Sequence, residues 1–518
     1  MVTTGPWPSQ APYPKHPFSQ LLEQTAQRLP EKPALIGIDE KSYTFGQLWE
    51  ASRKLARFLQ RQANVTKGET IAILSPNYPE YAVALHGALL TGAKVTTLNP
   101  LYREREVAHQ LDDAEAVVVF AAKAFLSTVE EAKGGLPKLR QVYAIEDIWE
   151  LAAAEPPEPE PVSIDPERDL AVLPYSSGTT GLPKGVMLSH YNLTSNMRQM
   201  IATGLTREDS VLLAFLPFYH IYGLMVLLNS TLATGSTCLV MPRFDPDQTL
   251  HLIEKYRVSD FFVVPPALLA LAHHPKLDQH DHSSLRFILS GAAPLPPEVA
   301  DLAGQRFGCT MLQGYGMTET SPLTNTNPLD AVKPASVGPA VPDTQEKIVD
   351  MESREELPVG ETGELLIFGP QVMQGYWKAP EATAETIQPD GWLRSGDIAR
   401  MDEDGYVYIV DRVKEMIKYK GYQVAPAELE AVLAEHPAVM DAAVIPKRDV
   451  AAGEIPKAFV VLKEGQEASA EEIMAFIAEK VAPYKKLREL EFVQSIPKTL
   501  SGKILRRELI EQERAKGE

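Results

Sequence analysis

Residues 70–97 read TIAILSPNYPEYAVALHGALLTGAKVTT, and this stretch decides the fold. Two short runs rich in β-branched residues, at 70–74 and 94–97, enclose a segment at 81–90 whose apolar positions recur at three and four residues. The runs read as buried strands and the segment between them as a helix. Strand, helix, strand is the unit of a parallel sheet, because parallel strands need a long crossover between them. Asn77 precedes the helical segment as a candidate N-cap, its side-chain oxygen able to take a free N–H of the first turn. The alternation continues outward. Residues 21–29 and 45–59 have helical spacing, the second run following Thr44 as a further cap candidate, and 116–120 reads as another buried strand. Strands alternating with helices predict an α/β fold: a large, multi-subdomain N-terminal region with mainly parallel sheets.

The rhythm breaks in three places. Residues 154–162, AEPPEPEPV, are too rich in proline for a helix interior or a core strand, so they form an exposed connection. The stretch at 211–241 is the most membrane-like, but Pro217, His220, Asn229 and Gly235 cut it well short of the ~18 apolar residues a span needs. It reads instead as a buried strand followed by a buried helix. Residues 391–408 are short, turn-rich and strand-like. After Asp411 the helix–strand pattern restarts, with helices at 427–435 and 471–481 and strands at 441–445 and 457–462. A domain boundary at Asp411 divides the chain into 1–410 and a small α+β unit at 411–518, of ordinary domain size.

The composition excludes several classes. With 518 residues, 44% hydrophobic and 23% charged, the chain has the balance of a globular protein. A formal net charge of -19 argues against nucleic-acid or anionic-membrane binding. Two cysteines, Cys238 and Cys309, in no paired motif, give no support to zinc ribbons or a disulfide scaffold. No charged start followed by an apolar core opens the chain, so neither a signal peptide nor a transmembrane segment is expected, and the protein reads as soluble and cytoplasmic. Any phosphorylated ligand must then be met by local positive charge and backbone N–H groups.

Such a place is Tyr175-Ser-Ser-Gly-Thr-Thr-Gly-Leu-Pro-Lys184. Ser176, Ser177, Gly178, Thr179, Thr180 and Gly181 can present hydroxyls and unhindered N–H groups to phosphate oxygens, with Lys184 as a mobile charge. It is not a Walker A loop, since Pro183 stands where a glycine is required, and no G-x-S-x-G elbow surrounds its serines. Gln313-Gly-Tyr-Gly-Met-Thr318-Glu319 contains only half a dinucleotide fingerprint and by itself reads as a tight turn. Three charged clusters come late: Gly391–Asp397, Asp411–Gln423 and Pro497–Arg506, each of which alone would pass as a solvated face.

Together, and in this order, these segments resemble the adenylate-forming superfamily of acyl- and aryl-CoA synthetases, firefly luciferase and peptide-synthetase adenylation domains. The likeness runs from about residue 18 to 507, and KYKGYQVAPAELE at 418–430 is most similar to the branch of 4-coumarate–CoA ligases and fatty acyl-CoA ligases. The resemblance implies that the 176–184 loop grips the β- and γ-phosphates of ATP, that Thr318 contacts the α-phosphate, and that Glu319 holds Mg²⁺. It implies further that Tyr315 stacks on adenine, that Asp397 and Arg412 meet the ribose, and that Lys503 is the adenylation lysine. His220, which amid apolar neighbours would otherwise read as a core histidine, is implied to line the acyl pocket by the carboxylate. Lys414, Lys418, Gly421 and Gln423 are assigned with the cofactors: Lys414 as the hinge of a mobile C-terminal lid, Gly421 where the pantetheine of coenzyme A passes.

The implied activity is ATP-dependent activation of a small carboxylic acid as acyl-AMP, followed by transfer to coenzyme A. By motif alignment the acid pocket is walled by Tyr222, Val226, Leu289, Ala292, Gly314, Gly316, Pro322 and Leu323. Glycine and alanine leave room there, and Val226, Leu289 and Leu323 offer no hydrogen bond to a ring hydroxyl. A medium- to long-chain fatty acid is therefore expected, with a hydroxycinnamate or aryl acid, or loading of a carrier protein in place of free CoA, as the alternatives.

Overall fold

The computed structural model describes residues 2–516 apart from 157, 177–182, 296, 413–414, 420–421, 450–451, 482 and 500–501, and apart from the side chains at 422, 423 and 453. Ser177, Gly178, Thr179, Thr180, Gly181, Lys414 and Gly421, and the side chain of Gln423, lie outside the described residues.

Strand Thr70–Leu74 lies parallel between Lys94–Leu98 and Ala116–Ala121. All of its residues are buried, which is why the run is apolar without alternation. Helix Glu80–Leu90 is apolar nearly all round because it is covered on every side. Gly87 lets helix Phe45–Arg61 approach closely; a Cβ there would meet Leu55 Cδ2 at 2.8 Å. Thr44 caps Phe45–Arg61 with a complete capping box, its hydroxyl accepting from the Gln47 N–H while Gln47 Oε1 accepts from the Thr44 N–H.

Asn77 is not a cap. The helix begins at Glu80 behind Pro79, whose missing N–H leaves one donor fewer to satisfy. Asn77 instead reaches another sheet, donating to the carbonyls of Ala214 and Leu216 and accepting from the Phe218 N–H at 2.7 Å. It thereby fixes the segment that leads to His220.

Among the described residues three sheets form before residue 413. One of eight strands is built around Thr70–Leu74. A second of eight strands runs in the order Leu323–Thr326, Thr310–Gly316, Phe287–Ser290, Asp260–Val263, Val211–Ala214, Thr237–Val240, Pro33–Gly37, Ser42–Thr44, parallel except at its two edges. The third departs from the expectation of mainly parallel sheets. Thr3–Thr4, Gln345–Val349, Thr362–Phe368, Leu393–Met401 and Val407–Arg412 are antiparallel throughout. Turns such as Asp402–Gly405, closed by the Gly405 N–H on the Asp402 carbonyl, are too short to carry a crossover.

The expected boundary at Asp411 falls inside strand Val407–Arg412, which pairs with Leu393–Met401 and so belongs to the larger part; beyond Arg412 the next strand, Ile417–Tyr419, belongs to a separate five-stranded sheet. Helices Pro426–Ala434 and Ala470–Lys480 cover it through Leu429, Leu433, Ile473 and Ile477. Helix Arg506–Ala515 packs through Leu509 on Phe459 and Ile445. The architecture is α/β, with a large N-terminal part and a smaller C-terminal one. Among the described residues no helix is long and apolar enough to cross a membrane. The 211–241 stretch divides into strand Val211–Ala214, π-helix Tyr222–Asn229, α-helix Ser230–Thr234 and strand Thr237–Val240.

Candidate active site

Parallel strands end together, so the loops after their carboxyl ends gather in one place, and ligands of open α/β sheets bind there. In the second sheet the segments following Val211–Ala214, Asp260–Val263, Phe287–Ser290 and Thr310–Gly316 carry His220, Val264, Ala292 and Thr318. All four line one cavity of about 820 Å³. Its walls also include Ser176, Lys184, Tyr315, Glu319, Arg412 and Lys503, together with Tyr222, Val226, Leu289, Gly314, Gly316, Pro322 and Leu323. Residues far apart in sequence thus meet as the motifs imply. Asp397 and Lys418 do not line it.

At the polar end Glu319 is buried, and its Oε1 accepts from Ser176 Oγ at 3.1 Å and from Tyr376 Oη at 2.8 Å. Lys184 Nζ stands 5.3 Å from the centre of the same Tyr376 ring. Tyr376 thus holds the carboxylate with its hydroxyl and faces the lysine with its ring. No sequence argument singled it out: in Gly375-Tyr376-Trp377 it carries no charge, and strand pairing of Val186 with Tyr376 brings it to the site. Among the described residues no three His, Cys, Asp or Glu side chains converge as a metal cage. One carboxylate with a lysine nearby fits the habit of Mg²⁺, which takes one or two carboxylates and completes its shell with phosphate oxygens and water.

Asp397 sits behind Ser395 and Gly396, 3% exposed. It accepts from Tyr315 Oη at 2.5 Å and pairs with Arg412 Nε at 3.1 Å across adjacent strands. That carboxylate holds the Arg412 guanidinium above its ordinary range. Lys503 reaches the cavity from the C-terminal part; burial, reinforced by the positive charge of Arg412, lowers its ammonium to about 8. Gly502 beside it has φ +81°, and a Cβ there would meet Pro266 Cδ at 2.6 Å, so only glycine lets the two parts close here. Lys418 is exposed elsewhere, its N–H donating to Glu454.

At the apolar end, burial depresses the His220 ring to about 4, and the ammonium of Lys503 acts in the same direction. Its Nδ1 accepts from the Tyr222 N–H at 3.2 Å, so the neutral ring carries its proton on Nε2. Gly223 packs where any side chain would strike backbone: a Cβ would lie 2.2 Å from the Pro217 oxygen. Ala292 adopts φ +68°, a left-handed conformation uncommon for a residue with a Cβ. The cavity continues past the expected walls to Ser230, Thr234 and Met200, residues that sequence reasoning missed. Ser230 donates to the Val226 carbonyl at 2.5 Å and Thr234 to that of Ser230 at 2.8 Å.

The model of the AMP-binding enzyme family matches residues 22–377, and that of the AMP-binding enzyme C-terminal domain matches 428–503. A 4-coumarate–CoA ligase of Pinus taeda is 42% identical over 499 residues, covering 92% of this chain and 91% of the relative. 4-Coumarate–CoA ligase 5 of Oryza sativa subsp. japonica is 41% identical, covering 96% and 94%. Among solved structures, an anthranilate CoA ligase, AuaEII, in complex with anthranoyl-AMP superposes with a TM-score of 0.90 at 29% identity, covering 97% and 98%. ATP-bound MatB from Rhodopseudomonas palustris superposes at 0.89 and 28%, covering 95% and 98%.

Proposed function

The chain belongs to the AMP-binding enzyme family, and from that premise we propose that it is an ATP-dependent acid–CoA ligase acting on medium- to long-chain fatty acids. In the first half-reaction a carboxylate oxygen attacks the α-phosphorus of ATP, the bond to the β-phosphate oxygen breaks, and pyrophosphate leaves. The nucleophile is already ionised at neutral pH, so no general base is needed. The obstacle is charge, because a carboxylate must approach a phosphorus surrounded by negative oxygens. Lys503 and Lys184 supply positive charge beside the phosphate oxygens, where negative charge accumulates. Glu319 is the side chain that would hold Mg²⁺, which when bound neutralises phosphate charge. Asp397 and Arg412 form the ribose side of the site, and Tyr315, tied to Asp397 through its hydroxyl, is the ring on which adenine stacks. His220, neutral with its proton on Nε2, supplies a donor to the acid and not a base. In the second half-reaction the CoA sulfur attacks the acyl carbonyl, AMP leaves, and the thiol proton goes to solvent.

The observation that carries the acyl preference is the spacing of Tyr222, Val226, Ser230 and Thr234, four apart and all on one cavity. From Tyr222 to Thr234 the helix axis spans about 15 Å at a rise of ~1.2–1.5 Å per residue. An extended alkyl chain advances about 1.25 Å per carbon, the projection of a ~1.5 Å C–C bond, so the channel takes about a dozen carbons. Each buried methylene gains ~0.8 kcal/mol. The second reading, a hydroxycinnamate ligase, is favoured by the names of the relatives. Against it, Val226, Leu289 and Leu323 offer a phenol no hydrogen bond, and the hydroxyl oxygens of Ser230 and Thr234, which can accept one, stand further along the helix. A phenol buried without a partner costs about 1–3 kcal/mol.

The test is AMP formation from octanoate, dodecanoate, palmitate and 4-coumarate, with and without CoA. Dodecanoate is expected to give the highest kcat/KM. A win for 4-coumarate would sink the acyl reading, and a carrier-bound phosphopantetheine outcompeting free CoA would replace the acceptor.

A further inference from the structure

Residues 222–229 wind as a π-helix before the chain continues as α-helix from Ser230. Such i→i+5 turns are rare, less favourable than α turns, and concentrated at functional sites, so something must hold this one in place. Two side-chain contacts meet at its end. Asn229 Nδ2 donates to the Leu224 carbonyl, five residues back, at 2.8 Å. Asn229 Oδ1 lies 3.0 Å from His86 Nε2. His86 belongs to helix Glu80–Leu90, is fully buried, and stacks on Phe18 with ring centres 6.2 Å apart. Burial keeps its ring neutral, lowered to about 4, so one proton is available and Asn229 Oδ1 is its acceptor. The other nitrogen, Nδ1, is buried with no hydrogen-bond partner among the described residues.

An apolar residue at position 86 would suit this helix better, since its neighbours Leu85, Ala88 and Leu89 are buried and apolar. A buried imidazole with one unsatisfied nitrogen is a local cost, and costs of this kind gather where function needs them. Neither His86 nor Asn229 lines the cavity, whereas Val226 and Ser230, on the helix that Asn229 braces, do.

We infer that His86, acting through Asn229, is a positioning residue for acid selectivity: it holds 222–229 in the π register that aligns Tyr222 and Val226 with Ser230 and Thr234 along the channel. Without the pair, the turn relaxes toward i→i+4. Residues before the junction then rotate about the helix axis, Tyr222 and Val226 leave the line, and the channel is pinched midway. The inference rests on the acid-channel reading above. Its readout is a ratio between homologous acids, whichever acid class the enzyme prefers.

The experiment compares the parent with His86→Leu, Asn229→Leu and His86→Gln. It reads kcat/KM for the best acid against its homologue two carbons shorter (4-coumarate against 4-hydroxybenzoate if aromatics win), together with the KM for ATP and the melting temperature. His86→Leu and Asn229→Leu should each lower that ratio at least about tenfold while leaving the KM for ATP within about twofold. His86→Gln, which keeps a donor for Asn229, should recover much of the ratio. Lowered melting temperature with an unchanged ratio overturns the inference, as does failure of both leucine variants to fold, since the pair would then serve packing alone. A parent that prefers 4-coumarate overturns the fatty-acid reading but leaves this ratio test standing.

Discussion

Lys503 illustrates what single residues owe to their surroundings. Its ammonium sits in a largely buried site with Arg412 as a like-charged neighbour, and both lower it to about 8. The charged form, which attracts the negative oxygens of pyrophosphate and of the transition state, is therefore lost as pH rises through about 8 in the free enzyme. The kcat/KM for ATP, which reports free-enzyme ionisations, should fall on that alkaline side. Lys503→Arg should shift the limb upward because guanidinium stays charged. Lys503→Ala should reduce adenylate formation by about 10² or more while sparing thioester formation from supplied acyl-AMP; equal damage to both half-reactions would remove Lys503 from this role. Tyr376 makes the complementary case. Among the described residues its hydroxyl is one of two donors on Glu319, and hydrogen bonds to charged groups contribute about 1.5–3 kcal/mol. Tyr376→Phe should weaken the Mg²⁺ dependence of pyrophosphate exchange roughly tenfold or more, with unfolding unchanged; an unaltered Mg²⁺ titration would count against it. Lys503 was legible because it stands in a motif with spacing. Tyr376 was not, because an uncharged tyrosine acquires its meaning only from the strand that pairs it with Val186.

At the scale of elements, patterns with one period were readable and long-range polar contacts were not. The 70–97 stretch declared its strands and helix through apolar spacing, and Thr44 declared its cap because a capping box is local. Asn77 had the same residue type in a similar position, yet its partners are Ala214, Leu216 and Phe218, more than a hundred residues on. No local rule can see that. The antiparallel sheet and the π-helix were missed for related reasons: strand direction depends on connection length, and a π turn has no residue signature apart from the contacts that hold it. Gly223 offers the test at this scale. An alanine Cβ would press on the carbonyl oxygens of Pro217 at 2.2 Å and Leu216 at 2.6 Å, backbone that cannot rotate away. Overpacking of this kind costs about 1–3 kcal/mol, and relief must move the segment carrying His220. Gly223→Ala should lower the melting temperature and depress adenylation of every acid while the KM for ATP holds. Selective loss with long acids only would mean that the glycine shapes the channel and not the His220 segment.

The whole molecule carries a net charge of -19, so an anionic nucleotide must be met by local positive groups, and Lys184, Arg412 and Lys503 line the cleft. Lys184 and Arg412 come from the larger part and Lys503 from the smaller. In the described arrangement the C-terminal part presents Lys498, Thr499, Lys503 and Leu505 to the cavity. Lys418, on the ribbon that the family resemblance associates with CoA, is exposed elsewhere. We propose that this orientation serves adenylation and that thioester formation requires the ribbon to replace Lys503 at the cleft. The connection available for that rotation lies between strand Val407–Arg412 and strand Ile417–Tyr419, which belong to different sheets, and Lys414 falls within it. Proline at 414 fixes φ near −65° and removes a backbone donor, and it also restricts the residue before it. A rotation spread over two or three residues loses most of its freedom under both constraints. Lys414→Pro should retain AMP-forming exchange within about threefold and lose acyl-CoA formation by at least about tenfold, a change of ~1.4 kcal/mol in the barrier. Lys414→Ala, which removes the side chain and leaves the backbone free, is the control and should behave like the parent in both steps. The pair is best read in single turnover, with acyl-AMP formed first and CoA added second. Acyl-CoA production by Lys414→Pro at the parent rate would place the pivot elsewhere, and loss of exchange as well would mean that the substitution disturbs the closed arrangement itself.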